Sequence, residues 1–184
     1  MVAAYQTLVA AFMLLAKSGK LNPEPPFRPV AQMTGADTSV EIARISVIQS
    51  QSAWVDLWHE HRQSFQLNVP PGAPSADDAE RPPVDFKKNV VVCMFGGASQ
   101  NVSGFDLADV GDVKNVAYIR IRPHLLPAST NLQLQQNAYM FLVVPRTRRK
   151  MVVQIDQSAL VDPSAANGSV WRTLATLPPT SKGN

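Results

Sequence analysis

The sequence predicts a mainly β chain, a β-sandwich-like arrangement or set of antiparallel sheets with one amphipathic helix packed on a sheet, α+β overall. Three observations carry that expectation. Short apolar runs at 89–95, 104–110, 113–122, 139–144 and 150–155 alternate with turn residues, which is the spacing of an antiparallel strand system. One window, from Ser50 or Ser52 to about Phe65, has helical rather than strand periodicity. Finally, 45% apolar against 17% charged residues in 184 positions is enough to build one sizeable core without disulfides or metal.

At the N-terminus, Leu8 to Ala16 is an uncharged apolar run followed by the small-x-small triplet Ala16-Lys17-Ser18, so residues 1–18 are a candidate signal peptide cut before Gly19. Met1 to Thr7 holds no Lys or Arg, and the alternative is an N-terminal helix with an apolar face. The run is shorter than the roughly 20 residues that cross a bilayer, so no stable membrane span is expected. If the run is a signal, the mature chain is periplasmic or secreted; if not, it is cytoplasmic.

Residues 19–38 read as a proline-rich linker, since nine of the 15 prolines gather at 23–29, 70–74 and 82–83. The β-rich domain is expected over 39–156. It opens with a strand at Val40 to Ile48, apolar at 40, 42, 45 and 47. The helix follows, with Ser50 or Ser52 as its cap and Trp54, Leu57, Trp58 and His61 forming one apolar stripe at spacings of three and four. A stripe of this kind packs on a sheet, so the two indoles are expected in the core. The polar, proline-rich stretch 67–83 reads as a loop, and hairpin turns are expected at Asp109–Asp112 and Pro145–Arg149. Residues 157–184 read as a polar tail anchored only by Val170-Trp171.

No set of residues assembles into a reaction centre. Cys93 is the single cysteine, which excludes an intrachain disulfide, and it lies inside the apolar run 90–95, where burial is expected. His59 and His61 are two apart, whereas a helical zinc pair needs i and i+4. His124 follows Pro123 without a nucleophile elbow, and no Lys-Ser or Lys-Thr follows Gly96-Gly97 at phosphate-loop spacing. No catalytic residue, cofactor or metal is therefore expected. A net charge of +3, with its largest basic run at Arg146, Arg148, Arg149 and Lys150, lacks the aromatic-laced basic stripe of a nucleic-acid surface.

Taken in order, Ala53-Trp54 to Leu57-Trp58, Pro82-Pro83-Val84-Asp85-Phe86, Val90 to Gly97, Ser103-Gly104-Phe105 and Tyr139 to Arg146 resemble the C-terminal domain family of protease complex subunit PrcB over roughly residues 40–155. Two positions depart from that pattern: a Gly-Gly-Tyr element is Ser103-Gly104-Phe105 here, and the proline before the closing-strand tyrosine is Ala138. The resemblance implies an exported, non-catalytic accessory domain that associates with a protease and stabilises it. The expected partner surface is Gly97, Ser103, Gly104 and Phe105 together with Arg146, Arg148 and Arg149. A looser resemblance to chagasin-type inhibitors implies loops that enter a protease cleft instead. A third reading, a small hydrolase, requires a pocket uniting His124 with a serine and a carboxylate.

Overall fold

The computed structural model describes residues 26–63, 80–99, 102–125, 136–158 and 169–180. The candidate signal peptide and most of the stretch 67–83 lie outside them. The described chain forms eight strands and one helix: β1 (Ala31–Gly35), β2 (Arg44–Ile48), α1 (Gln51–Arg62), β3 (Asn89–Ser99), β4 (Val102–Val113), β5 (Val116–Leu125), β6 (Gln136–Pro145), β7 (Lys150–Asp156) and β8 (Trp171–Leu177). They build two four-stranded sheets, with strand orders β1-β6-β3-β2 and β4-β5-β7-β8. All pairings are antiparallel except β5 with β7. The mainly β fold with one helix is thus the observed one.

Side-chain alternation distributes the core. On β3, Val90, Val92 and Met94 point between the sheets, where they meet Met140, Leu142 and residues of the second sheet such as Ile119 and Val153. Val91, Cys93 and Phe95 point the other way, under α1. A strand buried on both faces cannot afford a polar alternation, which is why 90–95 is continuously apolar. The second sheet has one wet face, and β5 alternates accordingly, with Ala117, Ile119 and Ile121 buried. The residues between them, Tyr118, Arg120 and Arg122, lie on the outer face, where Arg120 sits 4.8 Å from the Tyr118 ring centre and 5.2 Å from that of Trp171.

The helix starts where expected: Ser50 is extended and its hydroxyl accepts from the Ala53 N–H at 3.3 Å. Its buried face is Trp54, Leu57, Trp58 and His61. These pack around Phe141, whose ring centre is 5.1 Å from that of Trp54 and 5.0 Å from that of His61, both edge-on. The indole N–H of Trp54 donates to the Pro82 carbonyl. Both indoles are core residues, as the stripe predicts.

Four local expectations are corrected. The stretch read as a linker over 19–38 contains β1, which pairs with β6, and Phe27, which is buried in the inter-sheet core. The β4–β5 hairpin turns at Lys114-Asn115, with φ of 44° and 67°, and not at Asp109–Asp112. Two positive φ values are what a two-residue hairpin needs to match strand twist. Gly111 serves close approach instead: a Cβ there would lie 2.8 Å from the Tyr118 hydroxyl across the strand pair. Pro145–Arg149 is a crossover between sheets, since β6 and β7 belong to different ones. Residues 171–177, read as tail, form β8 and bring Leu177 into the core.

Candidate functional site

The residues expected to form one partner surface fall at opposite ends of the sandwich. Gly97 lies in β3 at a bulge, with φ of 73°, where a Cβ would sit 2.9 Å from the Ala43 amide nitrogen. Ser103, Gly104 and Phe105 lie in β4, and Phe105 is buried in the core. Ser103 occupies the first position of the altered Gly-Gly-Tyr element with a negative φ, and its hydroxyl donates to the His124 carbonyl. That hydrogen bond goes to main chain and not to the imidazole, so it is not a nucleophile–base pair. Gly104 has a φ of 154° and packs against Thr34, whose hydroxyl oxygen accepts from the Phe105 N–H at 3.1 Å.

Arg146, Arg148 and Arg149 lie past Pro145, which pairs with Asn89 at the far end of β3 from Gly97. At about 3.3 Å per residue the two groups are roughly 25 Å apart. Arg146 is a structural clamp: its guanidinium donates to the carbonyls of Phe86, Gln49 and Thr180 and to the Gln49 side chain. Arg149 pairs with Asp112 at 2.7 Å, and the other Asp112 oxygen accepts from the Phe27 N–H. Arg148 is exposed. The structure therefore does not bring the two halves of the expected surface together.

It presents a cleft in their place. The two sheets are tied together on one side, where the Thr34 hydroxyl of β1 donates to Tyr139 O and accepts from Phe105 N of β4. On the other side the terminal strands β2 and β8 barely touch. A cavity of about 540 Å3 opens between them, floored by Ile45, Met94, Phe105, Ile121 and Ile155 and edged by Leu174 and Ala175 of β8. The volume is within the usual range of ligand pockets.

Two arginines border the cleft, and alternation separates them. Arg44 is paired in register with Phe95, on the helix side of the first sheet. Its guanidinium stacks 5.1 Å from the Phe95 ring centre and pairs with Glu60 of α1. Arg172 is paired in register with Ile155, on the core side of the second sheet, and has no ion pair among the described residues. Arg172 is thus the cation at the mouth. Of the expected residues only Phe105 lines this cleft, together with Gly96, a neighbour of Gly97. Arg172 and Leu174 went unread because they sit in the segment taken for a polar tail.

Away from the cleft, His59 is exposed while His61 is buried among Trp58, Tyr139 and Phe141. No group of three metal-ligating residues clusters among the described residues. No helix among them is long and apolar enough to cross a membrane. Burial pushes the Tyr139 hydroxyl up to about 12, with the charge of Asp37 adding to the effect. Burial also raises the Cys93 thiol well above its ordinary value, only partly offset by Arg44. Native protein is accordingly expected to leave Ellman's reagent unreacted, and to release one equivalent once unfolded in guanidinium; prompt reaction of the native thiol would show that α1 does not seal that face.

Asp156 is buried, which opposes its ionisation. Hydrogen bonds from the Ser158 hydroxyl, Arg122, Ser169 and the Ser158 backbone N–H outweigh that cost and hold the carboxyl far below the usual range. A carboxylate with a depressed folded pKa contributes stability that is full above the unfolded value of about 3.9 and is lost as pH falls toward the folded one. Urea midpoints measured from pH 7 to pH 2.5 should fall more steeply for the wild type than for Asp156→Asn. Parallel curves would remove Asp156 from the acid response.

The fold and site together define a two-sheet β-sandwich, roofed by one helix on its first sheet and open to an apolar inter-sheet cleft between β2 and β8. No protein-family model, curated protein or solved structure matches the chain.

Proposed function

We propose that this chain is a non-catalytic protein-binding domain that receives part of its partner in the cleft between β2 and β8. The observation that carries this reading is the asymmetry of the sandwich. One side is closed by the Thr34 hydrogen bonds, whereas on the other a cavity lined by core residues opens beside two terminal strands. Apolar surface at such a place marks interaction sites. Ile42, 74% exposed just before β2, and Leu174, 39% exposed on β8, extend the apolar surface onto both lips. The resemblance to the PrcB C-terminal domain family supplies the expected partner, an exported protease that the domain stabilises.

The test is affinity capture by tagged wild type and by Ala175→Trp, which fills the cleft from β8, with Arg172→Glu as a second variant if the first does not fold. Partners lost with a folded variant support the reading, and an unchanged set of partners overturns it. A captured protease should then survive longer in the presence of the wild-type domain. Falling protease activity would favour the inhibitor reading instead.

A further inference from the structure

The two lips of the cleft are not equivalent. β8 carries two features that discourage strand addition: a bulge, in which Leu174 has no partner between Ala175 paired with Val153 and Thr173 paired with Gln154, and the inward-facing charge of Arg172. Bulges and inward charges are how sheets protect their edges. β2 has neither. Its five residues pair with β3 in unbroken register from Arg44↔Phe95 to Ile48↔Val91, and it contains no proline. The side of its backbone away from β3 is unpaired among the described residues. The one charge on β2, Arg44, lies on its helix side, held there by Glu60 and Phe95, and the core-facing residues of β2 are Ile45 and Val47. An unguarded edge therefore lies across an apolar gap from a guarded one whose Arg172 has no ion pair among the described residues.

We propose that β2 is a docking edge at which an extended segment of a partner protein adds as a fifth strand to the first sheet, placing an apolar side chain in the cleft and an acidic side chain against Arg172. Complementarity selects this occupant. Strand addition satisfies the open β2 backbone, side chains at i and i+2 of the incoming strand share the cleft-facing side, and a carboxylate neutralises Arg172 beside a low-dielectric floor. This rests on the cleft being the partner site and specifies the chemistry of what enters it.

The experiment is selection of a displayed library of random ten-residue peptides on the full chain, counter-selected on Ala175→Trp, followed by hydrogen exchange of the full chain with the enriched peptides. The expected result is enrichment of peptides with apolar residues two apart and one Asp or Glu, which slow exchange at residues 44–48. N-methylation of alternate peptide nitrogens should abolish binding without altering the protein. Replacing the acidic residue by its amide should weaken binding to wild type about threefold to tenfold, and binding to Arg172→Gln hardly at all.

Enriched peptides with helical spacing, protection confined to β8, or indifference to N-methylation would overturn strand addition. If no peptide is enriched while whole partners are still lost with Ala175→Trp, strand addition fails and the cleft remains the partner site. If neither is sensitive to cleft filling, both fail. A concentration-dependent dimer in which residues 44–48 are already protected would make a second copy the occupant and overturn the partner-segment reading.

Discussion

Phe141→Ala is expected to cost about 3–5 kcal/mol of folding stability, the range for deleting a fully buried aromatic side chain, and to lower the melting temperature by about 10–15 °C. Phe141 lies at the centre of the helix-side core, within ring-contact distance of Trp54, Trp58, His61, Phe95 and Tyr139. Its removal leaves edges of several rings facing a void that β6 and α1 cannot close, because both backbones are held by their own hydrogen bonds. Near-ultraviolet dichroism should report the loss early, since both helix tryptophans pack on that ring. Phe141→Leu should recover most of the stability. A loss below about 1 kcal/mol for the alanine variant would mean that α1 is not fixed on the sheet as described.

Arg146→Ala is expected to cost about 2–4 kcal/mol, because hydrogen bonds from a charged donor are worth more than neutral ones and the acceptors left behind are partly buried. Three separate segments converge on this side chain: the end of β2 through Gln49, the approach to β3 through Phe86, and the chain after β8 through Thr180. Arg146→Lys should rescue less than half, since an ammonium cannot reproduce a planar fork aimed at several carbonyls. Urea denaturation of the three proteins decides this. Equal stability of wild type and the alanine variant would return Arg146 to the list of surface residues. Otherwise, loss of partner binding in an Arg146 variant reports damage to the fold and not a lost contact.

Legibility in the sequence followed how local the determining physics was. The helix could be read because its cap, Ser50, and its stripe, Trp54 to His61, are features of a dozen adjacent residues. The strands β3 and β6 announced themselves because burial on both faces removed every polar interruption. β1 and β8 did not, because their partners are remote and neither alternates cleanly: β1 follows a proline cluster, and β8 is exposed on most of its length with a bulge at its middle. The hairpin turn was misplaced because Gly111 looks like a turn glycine, while the positive φ values fall on Lys114 and Asn115. The candidate cleft was invisible for a related reason. It is a gap between two sheets, bounded by residues from β2 through β8, and no window of sequence contains it.

The closing of the first sheet by its earliest strand has a consequence for biosynthesis. Thr34 bonds Tyr139, 105 residues further on, and the second sheet is completed only by residues 171–177. The first sheet cannot reach its final strand complement until residue 145 has emerged from the ribosome, nor the second until residue 177 has, and contacts of such long range slow the search for the native state. During translation α1 is already available to cover one face of 90–95, but its other face waits for Ile119 of β5 and Val153 of β7, so partly made chains expose apolar surface of the kind chaperones bind.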